Sequence, residues 1–70
     1  MKEFNALVLY HFEFDKNGNH YEGTKYRVSL GEFGLTEANG PLNLSLDPCS
    51  VVKVHLGFKN RKFYVIDVIK

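Results

Sequence analysis

The chain has 70 residues, a net charge of +1 and a single cysteine, Cys49. This length predicts one domain, residues 1–70, and a domain of this size buries only about 60% of its unfolded surface. A lone cysteine excludes an intrachain disulfide. The sequence contains neither a signal-peptide pattern nor a long apolar run. We therefore expect a cytoplasmic protein that does not associate with a membrane.

The first predicted element is a long strand over residues 3–15, followed by a tight turn at Asn17-Gly18. Apolar residues alternate along this strand with period two, which is typical of β-structure. Asn-Gly is typical of a two-residue hairpin turn because both residues tolerate a positive φ. The alternation predicts one apolar face made of Phe4, Ala6, Val8, Tyr10, Phe12 and Phe14.

Four further segments alternate in the same way, and they predict strands over residues 25–30, 41–46, 50–58 and 62–69. Residues 31–41 contain three glycines and a proline, so we expect a connection there with at most one helical turn. Five strands, of which the first is long enough to bend across two sheets, predict an all-β protein. We expect a small five-stranded OB-like barrel, with an SH3-like barrel as the alternative.

Charge is distributed unevenly along the chain. Residues 48–70 contain five basic residues and one acidic residue, whereas the earlier part contains seven acidic residues and four basic ones. Lys59, Arg61 and Lys62 lie between Phe58 and Phe63 at the tip of the last predicted hairpin. Such a cluster can bind a polyanion, or it can keep an exposed hairpin soluble and prevent edge pairing.

Basic and aromatic residues are interleaved in two segments, a combination that suits single-stranded nucleic acid. Basic side chains neutralise phosphates, and exposed rings stack on bases. Tyr26 fits a core position as well as a stacking position, the two alternatives are comparable for Phe63, and for Phe58 we favour a core position. The predicted nucleic-acid-binding residues are Lys25, Tyr26, Arg27, Lys53, Lys59, Arg61, Lys62 and Phe63.

The residues able to support metal binding or catalysis are scattered along the chain. His11, His20, His55 and Cys49 form no paired ligand motif, and no third group is placed to orient a cysteine–histidine pair. We therefore expect no metal site, no cofactor, no catalytic residues and no small-molecule substrate. The predicted protein is not an enzyme.

The order of three motifs resembles the gene V type single-stranded DNA-binding proteins of filamentous phages. These motifs are GTKYRVSLGE, LNLSLD and VVKVHLGFKNRKFYVID, and the resemblance covers roughly residues 23–69. It implies an OB-like homodimer that coats single strands cooperatively and without strong sequence preference. Within this resemblance, Tyr26 would lie in the DNA-binding wing and Phe63 would contact bases. Lys25 and Arg27 would contact the backbone, and Lys59 fills the family's Phe-Lys position. Glu13, Asp15 and Glu22 stand where arginines would be expected.

The residues and the resemblance together predict a single-stranded DNA-binding protein of a phage or mobile element, acting in the host cytoplasm, with binding to RNA left open. The alternative is a protein-binding module of similar shape, such as a phage inhibitor of a host protein. Exposed aromatic residues and arginine also favour protein interfaces.

Overall fold

The structure, a computed structural model, describes residues 1–69. It contains five strands, β1 (Glu3–Lys16), β2 (Asn19–Ser29), β3 (Leu35–Gly40), β4 (Val51–Lys59) and β5 (Lys62–Ile69). A short 3-10 helix, Gly31–Phe33, lies between β2 and β3. Within residues 1–69, no helix has the length and apolar character needed to cross a membrane.

The strands form a closed barrel in the order β1-β2-β3-β5-β4, with β4 returning to β1. All neighbours are antiparallel except β3 and β5, which are parallel and pair at Asn39 and Tyr64. A parallel pair between the third and fifth strands is the closure of an OB-like barrel, so the predicted OB-like architecture is confirmed and the SH3-like alternative is not adopted.

A β-bulge in β1 changes which face of the strand is buried. The register with β2 shifts between Val8 and Tyr10, so Leu9 is the additional residue. Ala6 and Val8 lie in the core, whereas Tyr10 and Phe14 are exposed. The predicted single apolar face of β1 is therefore wrong beyond Val8. A bulge inserts one residue, and side chains after it point to the opposite face.

The third strand lies earlier in the chain than the alternation predicted. Residues 35–40 form β3, where a connection was expected, and residues 41–46 lie outside the strands. β3 pairs with β2 over six positions, from Thr24–Gly40 to Ser29–Leu35. In the predicted strand, the Ser45 N–H donates to Asn43 Oδ1 at 3.1 Å, and the Leu46 N–H donates to the Asn43 carbonyl at 3.2 Å. These turn hydrogen bonds compete with strand pairing.

Buried side chains from all five strands meet in one core, which consists of Ala6, Val8, Tyr26, Val28, Ala38, Val54 and Val65. Partly buried hydrogen bonds attach the connection between β3 and β4 to the barrel. Thr24 is fully buried, and its Oγ1 accepts from the Asn43 N–H at 3.2 Å. In the neutral ring of His11, Nε2–H donates to the Leu46 carbonyl at 2.9 Å and Nδ1 accepts from Thr24 at 2.8 Å. His11 thus has partners at both ring nitrogens.

Candidate nucleic-acid interface

The β4–β5 hairpin diverges from β3 on one side of the Asn39–Tyr64 pair and leaves a cleft between them. Within residues 1–69 this is the one position at which β3 and β5 pair. The cleft has a volume of about 610 Å³. We call it the basic cleft, and it is lined by Lys25, Lys59, residues 36–39 of β3 and residues 61–64 of the hairpin.

Five of the eight predicted binding residues line the basic cleft. Lys25 reaches it from β2, and the hairpin supplies the other four, Lys59, Arg61, Lys62 and Phe63. Lys25 joins the hairpin residues because its strand neighbour on β3 is Asn39, the residue that pairs with Tyr64 on β5. The barrel closure therefore gathers cations that are far apart in sequence.

Arg27 and Lys53 lie outside the basic cleft. Arg27 Nη2 is 3.8 Å from Glu37 Oε2, and Glu37 itself lines the cleft. Both side chains of this ion pair are about half exposed, which makes it weak and easily exchanged for another partner. Lys53 lies on β4 between Asn5 of β1 and Ile69 of β5. Lys53 precedes Lys59 by six residues on the same strand, about 20 Å at the rise of a β-strand, so it lies far from the cleft cations.

The two phenylalanines of the hairpin have different roles from those expected. Their ring centroids are 4.9 Å apart and their planes are inclined by 55°. Phe63 is half-buried and packs against the core, whereas the side chain of Phe58 is 63% exposed. The preferred core position for Phe58 is therefore wrong. Phe58 is the accessible ring of the pair, and Phe63 supports it.

Tyr26 has no surface available to a ligand. It is fully buried, with 0% relative exposure, and belongs to the core beside its strand neighbours Val8 and Ala38. Burial raises the pKa of its phenol above the ordinary value of 10.0, and a hydrogen bond with Thr24 opposes that shift. The expected stacking role of Tyr26 is therefore corrected, since a base cannot reach a ring enclosed in the barrel.

A second concave surface, which the sequence did not indicate, adjoins the basic cleft. Phe12, Phe14 and Tyr21 of the β1–β2 hairpin line it together with Tyr64 of β5. Ring centroids are 6.1 Å apart between Phe12 and Phe14 and 5.1 Å apart between Phe14 and Tyr21, with 23° between planes in both pairs. We call this surface, of about 470 Å³, the aromatic groove.

The opposite face of the same hairpin is acidic. His20 Nδ1–H donates to Asp15 Oδ1 at 2.8 Å, and His20 Nε2 lies 3.6 Å from Glu13 Oε2 and 3.8 Å from Glu22 Oε2. We call these four exposed residues the carboxylate face. Glu13, His20 and Glu22 form the one candidate metal-ligand group within residues 1–69. Strand pairing across the hairpin brings these side chains together, which residue spacing could not reveal.

The remaining candidates for chemistry lie elsewhere on the barrel. His55 Nδ1–H donates to Asp67 Oδ1 at 2.7 Å across β4 and β5. Cys49 is exposed in a turn with φ of 71°, and its N–H donates to the Val8 carbonyl at 2.7 Å. The structure thus gives His55 a carboxylate partner and places Cys49 at the β1 bulge.

Fold and site together define an OB-like barrel with a cationic cleft at its β3–β5 opening and an aromatic groove beside it. Comparison with models of protein families, with curated proteins and with solved structures finds no match to this chain.

Proposed function

We propose that this protein binds single-stranded DNA, largely independently of sequence, through the basic cleft. The observation that carries the proposal is the convergence of Lys25, Lys59, Arg61 and Lys62 on one cleft that also contains an aromatic ring. OB-like barrels bind oligonucleotides through the face of β2 and β3 and through the loop between β4 and β5. The basic cleft lies between those two parts. Homodimerisation and coating of strands in phage or mobile-element replication, which the gene V resemblance implies, belong to the same proposal.

The turn at the tip of the hairpin supports a role for Arg61. Asn60 and Arg61 have φ of 53° and 63°, and the equivalent turn in the β1–β2 hairpin has Asn17 and Gly18 at 53° and 77°. Glycine adopts this conformation without strain, whereas for a residue with a side chain it costs roughly 1–2 kcal/mol. Arginine thus occupies a position that favours glycine. Its charge, which lies against the basic cleft, is a reason for that choice.

Replacing Arg61 with glycine is expected to stabilise the fold and weaken binding. The free energy of unfolding should rise by up to about 1 kcal/mol because the strain in the turn is relieved. Affinity for single-stranded DNA should fall because the variant has one cation fewer to neutralise a phosphate. Urea denaturation and DNA titration on the same samples measure both effects. An Arg61→Lys variant, which keeps the charge, is the control. A gain in both stability and affinity would contradict the role assigned to Arg61.

The direct test is a fluorescence-polarisation titration with labelled oligothymidylate, its duplex counterpart and the matching RNA. We expect micromolar or tighter binding to the single strand, with a logarithmic salt slope of about −0.7 for each phosphate that a cation neutralises. Four cleft cations give a slope of about −3. Equal affinity for the duplex would contradict the proposed preference for single strands, and flat curves at low salt would exclude the function itself.

One observation favours a second candidate, a protein-binding module. Within residues 1–69, β3 pairs with β5 only at Asn39, so the edge of β3 over residues 35–38 has no strand neighbour on the cleft side. An extended peptide could add to this edge as a further strand. Main-chain pairing of this kind depends weakly on salt, whereas binding of DNA phosphates depends on it steeply.

A further inference from the structure

We infer that the aromatic groove is a stacking subsite for unpaired bases of the strand whose phosphates lie in the basic cleft. This inference rests on the proposed function. None of the groove's three hairpin rings was among the residues that the sequence indicated for binding, so the groove enlarges the site from one hairpin to two.

The rings of the groove are arranged to extend a stack. Phe12 and Phe14 alternate along β1, and Tyr21 lies directly across from Phe14 on β2. With only 23° between neighbouring planes, these rings present nearly parallel faces. Phe14 lies between Phe12 and Tyr21 in this row and is 50% exposed, and Tyr21 is 46% exposed, so the row of rings remains accessible from solvent. Flat bases stack on such surfaces whatever their identity.

The aromatic groove is continuous with the basic cleft, which indicates that the same nucleotide chain occupies both surfaces. Asn39 and Tyr64 line both surfaces, so a strand can pass from one to the other without leaving the protein. The cleft has the cations that phosphates need, whereas the lining of the groove is mainly apolar and aromatic, has no cation and has Glu22 as its one charged residue, so it suits uncharged bases better than phosphates. The two surfaces therefore match the two chemical parts of one nucleotide chain.

The carboxylate face determines where this path ends. Glu13, Asp15 and Glu22 surround His20 on the side of the hairpin opposite Phe14 and Tyr21, and Glu22 also borders the aromatic groove. Negative charge there repels phosphates, so a strand does not wrap around the hairpin. The bound segment is thus confined to the basic cleft and the aromatic groove. We expect affinity to level off at the shorter end of the range of about 4–16 nucleotides that OB folds occupy.

The test compares Phe14→Ala and Tyr21→Ala with Phe33→Ala in oligothymidylate titrations across a salt series. Phe33 is 82% exposed in the connection between β2 and β3 and lines neither surface, so its variant controls for the loss of an exposed ring. We expect each groove variant to lose about 10-fold in affinity with an unchanged salt slope, because the variant removes a stacking surface and leaves every cation in place. The Phe33→Ala variant should bind like the original protein.

Abasic oligonucleotides provide a second readout, since they keep the phosphates and remove the bases. The original protein should bind them more weakly than oligothymidylate, and Phe14→Ala should narrow that difference. If oligothymidylate binds with the expected salt slope but both groove variants match Phe33→Ala, the inference is wrong and the proposed function stands. If no oligonucleotide binds at low salt, both are wrong.

Discussion

Replacing Tyr26 with alanine is expected to unfold most of the protein at room temperature. Tyr26 is the largest fully buried side chain and contacts the core shared by all five strands. Truncating a buried aromatic residue of this size costs about 3–5 kcal/mol. The core of so small a domain rarely supplies more than about that amount in total. Thermal and urea denaturation followed by circular dichroism measure the loss.

A matched substitution separates burial from the general loss of a tyrosine. Tyr10 is 51% exposed on the outer side of β1, so Tyr10→Ala should change the free energy of unfolding by less than about 1 kcal/mol. If Tyr26→Ala proved as stable as Tyr10→Ala, the position of Tyr26 in the core would be wrong. In that case its ring would again be a candidate for base stacking.

The phenol of Tyr26 is expected to make the free energy of unfolding fall at alkaline pH. Because burial raises its pKa, the folded state keeps the proton to a higher pH than the unfolded state does. The contribution of this group to the free energy of unfolding is therefore fully present below about pH 10, the ordinary pKa of tyrosine. It is lost as the pH rises through the folded-state pKa, because the unfolded state releases the proton first. Comparing denaturation of the original protein with that of Tyr26→Phe on both sides of this pH isolates the contribution of Tyr26.

Strand content and the hairpin turns could be predicted because their signals are local. Asn17 and Gly18 adopt the positive φ values that the pair indicates. The β1 bulge could not be predicted, because alternation continues after Leu9 as though no residue had been inserted. This one residue turns the later aromatic side chains of β1 away from the core. It is the reason why the aromatic groove was missed.

The same distinction applies to the candidate site. Lys59, Arg61 and Lys62 belong to one hairpin, so their proximity follows from a single turn. That Lys25 joins them depends on which strands close the barrel. Lys53 does not join them because it lies six residues before Lys59 on β4. Tyr26 is buried because it lies in the part of β2 that packs on the core, whereas Phe58 is exposed because it lies near the hairpin tip, beyond the core. Alternation indicates two faces of a strand and does not indicate where the core stops.

Reversing the charge of Arg61 and Lys62 together is expected to abolish binding of single-stranded DNA at physiological salt. Both residues are exposed at the hairpin tip and line the basic cleft, so glutamate at these positions removes two phosphate-binding cations and adds repulsion. We expect affinity to fall on the order of 100-fold at low salt, and the salt slope to be smaller by about 0.7 for each cation removed. Denaturation should show little change, because exposed charges contribute little to stability.

The control for this variant is a reversal of Lys2 and Lys53, which changes the net charge by the same amount. Both lysines are exposed, and neither lines the basic cleft. A protein that attracts DNA through its net charge alone would lose equal affinity in the two variants. A protein that holds phosphates in the cleft loses far more when Arg61 and Lys62 are reversed. Equal losses would therefore contradict a localised site, and the difference between the two variants measures how much of the affinity the cleft supplies.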